Sequence, residues 1–228
     1  MINYEFLQID LFRMVQKLIA KGELGDLHKI SVLWSAQTYA NRMKTNSWKR
    51  SEKHGGGALN SFVSHVYHYL LCWMGKPSFL SAHFSGEAEM AEQTVISTIQ
   101  WGDAQVHVNV CTDAPQPLGQ RIEICGESGS VVLSNTSGDP IAGFECEIDR
   151  DGVVENIVSC WTFDPDKDGR LPATEAMLQD FVEELDQSLI KMNKLKKALF
   201  VEEMLLAARR SYRSKGLYRP GVCLGNPG

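Results

Sequence analysis

The stretch HGGGALNSFVSHVYHYLLCWMG, His54–Gly75, is the piece the rest of the chain is arranged around. Gly55, Gly56 and Gly57 open backbone conformations closed to other residues and admit a close neighbour. A helical pattern follows at once. Phe62, Val66, Tyr69, Leu70 and Trp73 fall at i, i+4, i+7, i+8 and i+11, one buried stripe. Ser61, His65, His68 and Cys72 fall at i, i+4, i+7 and i+11 on a neighbouring stripe. Gly75, followed by Lys76 and Pro77, stops the helix.

Outward from this helix the pattern changes. Upstream, Met1–Phe6 reads as a short strand, and Leu7, Leu11, Val15, Leu18 and Ile19 make an amphipathic helix ended by Gly22. Leu27–Gln37 alternates as a strand, and Thr38–Arg50 is a polar loop with Tyr39, Asn41, Arg42, Trp48, Lys49 and Arg50 read as exposed. Downstream, Ser78–Ser85, Gln93–Trp101, Ala104–Cys111, Arg121–Cys125, Gly129–Leu133, Phe144–Ile148 and Val153–Val158 have strand patterns joined by tight turns. Consecutive hairpins predict a mostly antiparallel sheet. Helices are expected at Thr174–Ile190, capped by Thr174, and at about 195–212, with a loose tail after them. The expected fold is α+β: one open, mostly antiparallel (mixed) sheet with helices on one face. Residues 1–212 would form one domain and 213–228 a tail. Apolar residues expected on both sheet faces call for a cover, which a second copy of the chain would supply.

Composition narrows the function. With 228 residues, 43% hydrophobic and 22% charged, the chain suits one domain with a sizeable core. A net charge of −5 argues against non-specific nucleic-acid binding and gives no basis for a membrane-surface role. No apolar run reaches the ~18–20 residues of a membrane-spanning helix, and no signal-peptide pattern appears. Six scattered cysteines without a C-x-x-C pair fit reduced thiols in the cytoplasm.

GGG-A-L-x-x-x-x-S-H-x-x-x-x-L-x-x-W-x-G resembles the central helix motif of the Gfo/Idh/MocA family of NAD(P)-dependent oxidoreductases, and the resemblance is to that family's C-terminal α/β domain. Asn3–Phe6 (NYEF), Lys21–Trp34, Ser47–Arg50 (SWKR) and Cys125–Leu133 support it in order and spacing. The resemblance implies a sugar-like or cyclitol-like substrate, NAD or NADP in a complete family member, and a homodimer through the sheet face. It implies His65 as candidate acid/base, with Ser61 standing where the family carries an Asp and His68 where a second acid is common. Tyr39, Arg42, Trp48, Lys49, Ser61 and His68 are the candidate substrate-binding residues. The family's glycine-rich cofactor loop and Glu-Lys-Pro lysine have no counterpart here, so no cofactor-binding residue is assigned, and the chain alone is expected neither to bind NAD(P) tightly nor to turn over. The alternative is a non-catalytic stand-alone module for ligand binding or dimerisation.

Two metal patterns compete with these readings. His65, His68 and Cys72 share a stripe but lack a fourth ligand. Asp164–Glu175 satisfies D-x-D-x-D-G-x5-E, the calcium-loop pattern, but a strand in place of a leading helix, and Pro165 and Pro172, favour a solvated acidic linker. No metal ligand is therefore assigned.

Overall fold

The computed structural model describes residues 3–161, 164, 166–183 and 188–220. Its centre is an eight-stranded sheet: β1 (Leu27–Ser35), β2 (Phe79–Ser85), β3 (Thr94–Trp101), β4 (Ala104–Cys111), β5 (Gly119–Gly126), β6 (Gly129–Asn135), β7 (Glu145–Arg150) and β8 (Val153–Val158). The order across it is β2-β3-β4-β1-β5-β6-β7-β8. β1 runs parallel to β4, and every other neighbouring pair is antiparallel. The single parallel pair follows from chain order. β1 is laid down first, the chain leaves to build the helix at His54–Gly75, and the β2-β3-β4 meander then returns to β1 from the far edge.

Alternation along the strands sorts the two faces. Ile30 and Val32 of β1, Val95 and Ile99 of β3, Val106 and Val108 of β4, and Ile122 and Ile124 of β5 are all buried on one face. Helices α1 (Asp10–Ala20), α3 (Ser64–Met74) and α5 (Ser188–Ser214) complete the core. Inside it, the Tyr67 hydroxyl donates to Ser97 Oγ at 3.1 Å. The opposite face departs from the expectation of apolar residues on both sides. It carries Ser31, Thr98, Gln105, His107, Asn109, Arg121 and Glu123, with Leu33, Ile96, Phe79, Val154 and Val158 as exposed apolar positions among them.

Several local readings are corrected. Glu5–Gln8 is a 3-10 turn where a strand was expected, because Phe6 must turn into the core while Tyr4 reaches α3. Within Thr38–Arg50 the chain forms a short helix α2 (Tyr39–Arg42), with Thr38 accepting from the Asn41 backbone N–H, and a 3-10 turn Trp48–Arg50. Arg50, read as exposed, is buried, and its Nη2 donates to Glu87 Oε2 at 2.7 Å. Helix α4 (Arg170–Glu183) starts ahead of Thr174, and α5 begins at Ser188. The segment read as a loose tail is pinned at Tyr218, whose backbone pairs with Leu80 on edge strand β2. Residues 221–228, Cys223 among them, lie outside the described residues.

The glycine run shows why glycine is needed. A Cβ on Gly56 would meet the Trp48 and Lys49 carbonyls. Gly57 has φ +101, and a Cβ there would meet the Glu92 carboxylate, which accepts from the Leu59 backbone N–H at 2.9 Å. The helix then opens with a π-helical turn, Leu59–Val63, before settling into α3. Gly57→Ala is expected to cost roughly 2–5 kcal/mol, the sum of about 1–2 for the positive φ and about 1–3 for overpacking. Urea unfolding checks this, and an unchanged midpoint would contradict it.

Candidate functional site

The approach of three segments to the glycine-headed helix leaves a cleft of about 220 Å³. Its floor is aromatic: Phe6 from the N-terminal turn, Trp34 from the end of β1 and Phe62 from the π turn, with Trp34 and Phe62 edge-to-face at 4.8 Å. Its rim is polar, with Ser61 and His65 from the helix, Lys49 from the 3-10 turn, and Thr38 and Asn41 around α2. Asn41 Nδ2 donates to the Thr112 carbonyl at 2.9 Å, which fixes α2 against the end of β4.

Two rim residues come from parts of the chain the sequence reading left unassigned. Glu5 is buried at 8% exposure and lines the cleft from the 3-10 turn. Arg170 arrives from the start of α4. Asp139 accepts from the Gly169 backbone N–H at 3.0 Å, and the Arg170 fork closes on Asp168 through bonds of 2.8 and 2.6 Å. That fork holds the Asp168 carboxyl down to about 2. With Asp164 likewise bonded to Lys167 at 3.1 Å, and Glu175 inside α4, two carboxylates of the calcium-like pattern are spent on local cations. Among the described residues no group of three or more His, Cys, Asp or Glu converges as a metal site.

The stripe read from sequence divides. His65 and Ser61 line the cleft. His68 lies outside it: its ring stacks on Tyr4 at 4.2 Å, and its Nε2 sits 3.9 Å from Cys72 Sγ. Tyr39, Arg42 and Trp48 are exposed and outside the cleft lining, whereas Lys49 lines it. The signal for Glu5 was present in NYEF, an acid held between two aromatics. Nothing local marked Arg170.

Burial governs the electrostatics. The His65 ring packs edge-on against Tyr4 at 5.6 Å and Phe6 at 5.7 Å, and desolvation pushes its pKa down to about 4. His68 is pushed to about 3 by burial, helped by the nearby Lys197 and His65. Burial also raises the Glu5 carboxyl, against the Asn3 side chain and Arg170.

The amides of the glycine run are already engaged: Gly55 donates to Glu52, Gly56 to Ser51, Gly57 to Lys49, and Ala58 and Leu59 to Glu92. This run therefore does not fit the pyrophosphate of a dinucleotide, which needs several free N–H groups.

The GFO/IDH/MocA C-terminal domain model matches residues 12–132, more than half of the chain. The chain belongs to this family. A Gfo/Idh/MocA relative, an uncharacterized oxidoreductase of Synechocystis sp., is 26% identical over 93% of this chain, and the chain spans 63% of that relative's length. Among solved structures, a levoglucosan dehydrogenase in complex with NADH and levoglucosan superposes with a TM-score of 0.77 at 15% identity, covering 97% of this chain and 66% of that one. The WlbA dehydrogenase of Bordetella pertussis, in complex with NADH and UDP-GlcNAcA, gives 0.67 at 20% identity, covering 93% and 61%. At these identities the superpositions establish the shared fold.

Both shifted histidines give a pH prediction. Their folded pKa values lie below the unfolded value of about 6.5. Between about pH 4 and 6.5 the unfolded chain binds more protons, so stability falls as pH drops through that window. Thermal unfolding across pH is expected to show this slope, reduced in His65→Gln. Equal slopes in the two proteins would contradict the buried neutral ring.

Proposed function

We propose that this chain is the substrate-binding and dimerisation domain of an NAD(P)-dependent oxidoreductase acting on a sugar-like or cyclitol-like substrate. The observation that carries the reading is the cleft: an aromatic floor for the C–H face of a sugar ring, beneath a rim of donors and acceptors for its hydroxyls. Family membership supports the oxidoreductase class, and the polyhydroxylated ligands of the fold neighbours support the substrate class. His65 and Ser61 face the substrate with Lys49 across from them, while Tyr39, Arg42, Trp48 and His68 serve the site from outside the cleft lining. Residues 1–212 act as one unit. The dinucleotide is held by protein outside these 228 residues, because the glycine run here has no amides to spare for it.

The bare sheet face, with Leu33 and Ile96 exposed, is the dimer surface in this reading. A cytoplasmic setting is supported by five free cysteines among the described residues. Among them no helix is long and apolar enough to cross a membrane. A binding module without catalysis is favoured by one observation: Ser61, one turn before His65, supplies no charge to hold an imidazolium.

Two measurements test the reading. Millimolar NAD(H) or NADP(H) is expected to leave the melting temperature of this chain unchanged, and a rise of several degrees would defeat the assignment of the cofactor to another part of the protein. Light scattering at micromolar concentration is expected to give a dimer, converted to monomer by Leu33→Glu with Ile96→Glu. A monomeric wild-type chain would remove dimerisation from the proposal.

A further inference from the structure

The helix that carries Ser61 and His65 opens on a turn it would not adopt alone. Leu59–Val63 is π-helical, with the Ser64 backbone N–H reaching back to the Leu59 carbonyl. Such turns are rare, and they are found mostly as single turns inside α-helices. A π turn winds more slowly than an α turn, so relaxing it would rotate Ser61 and Phe62 about the helix axis relative to His65. All three residues line the cleft, so its shape depends on what holds the turn.

Two contacts from outside the helix hold it, one on each side. Ala58, at the N-cap, has no side chain that can cap. The segment before β3 supplies the cap instead. The Ala58 N–H donates to the Glu92 carbonyl at 2.8 Å, and the Leu59 N–H to Glu92 Oε1 at 2.9 Å. On the far side, Arg209 of α5 donates from Nη2 to Asn60 Oδ1 at 2.5 Å, and Asn60 Nδ2 donates to the Gly55 carbonyl at 2.9 Å. The Asn60 carbonyl also accepts from Ser64 Oγ at 2.6 Å, so Asn60 ties the glycine run, the π turn and α5 together. Burial raises the Glu92 carboxyl pKa, and the Leu59 N–H and the charge of Arg209 oppose that rise. Neither Arg209 nor Asn60 lines the cleft, and Arg209 borders two depressions outside it. Arg209 therefore acts on a cleft ligand only through the turn.

Resting on the sugar-like reading above, we infer that Glu92 and Arg209 are positioning residues, a clamp of opposite charges that holds the π turn and so sets Ser61 and Phe62 against His65. The clamp is tertiary: its two bonds span 33 and 149 residues of chain. Only molecules with the turn held present the complete cleft, so apparent affinity for a ligand scales with their fraction.

The test compares Glu92→Ala, Glu92→Gln, Arg209→Met and Arg209→Lys in the 228-residue chain by nuclear magnetic resonance, at a temperature where each is folded. Glu92→Ala and Arg209→Met are each expected to lower levoglucosan affinity about fivefold, the scale of one lost cap. Both are also expected to weaken the nuclear Overhauser contact between the Trp34 and Phe62 rings, while the Tyr69–Trp73 contact further along the helix stays unchanged. Glu92→Gln keeps an acceptor for the Leu59 N–H and Arg209→Lys a donor for Asn60, so these two are expected to retain most of the affinity. Should Glu92→Ala fail to fold, Glu92→Asp withdraws the carboxylate by one methylene and is expected to weaken binding in its place. Lower melting temperatures with unchanged affinity and an unchanged Trp34–Phe62 contact would overturn the inference and leave the sugar reading intact. If the wild-type chain binds none of levoglucosan, D-glucose or myo-inositol, the sugar reading falls. The clamp then stands on the loss of the Trp34–Phe62 contact in Arg209→Met, and falls if that contact persists.

Discussion

The close approach at Gly56 and Gly57 is the constraint on which the candidate site depends. The Trp48 and Lys49 carbonyls lie where a side chain on Gly56 would be, and the Glu92 carboxylate lies where one on Gly57 would be. Because these segments touch the helix start directly, Lys49 and Arg50 on one side and Glu92 and Gln93 on the other converge on Ser61 and His65. The Glu92 carboxylate also satisfies the Leu59 N–H, one of the amides that a helix start leaves without a partner within the helix. The π-helical turn that follows sets which residues of the motif face the cleft.

The sheet supplies the frame. β1 sits in its centre, and its C-terminal end carries Trp34 into the floor of the cleft, while α3 lies over the buried face. The Arg50–Glu87 pair, with Arg50 buried, ties the loop before the glycines to the loop after β2. Removing one partner of such a pair strands the other charge and is costly. The pair thus anchors the loop next to Lys49, its exposed cation in the cleft lining.

What could be read from the sequence was what depended on neighbours close along the chain. The helix over Ser64–Met74, the hairpins around Gly102, Glu127–Ser128 and Asp151–Gly152, and the shared stripe of Ser61 and His65 all follow from spacing and turn chemistry. Residues placed by distant contacts could not be read. Arg50 is buried only because Glu87, 37 residues later, meets it. Arg170 reaches the cleft through the Asp139–Gly169 bond, a contact no local pattern announces. The bare sheet face was misjudged because polar positions such as Ser31, His107, Asn109 and Arg121 alternate with the buried ones, and a strand pattern does not say which face a helix covers. His68 lies outside the cleft lining because its ring stacks on Tyr4 of the N-terminal turn, and a helical wheel does not contain that turn.

The most direct test of the central claim is a crystal structure of the chain soaked with levoglucosan. The account predicts the sugar over Phe6, Trp34 and Phe62, with its hydroxyls within hydrogen-bond reach of Ser61 and His65. Levoglucosan bound on the bare sheet face, with the cleft left vacant, would contradict it.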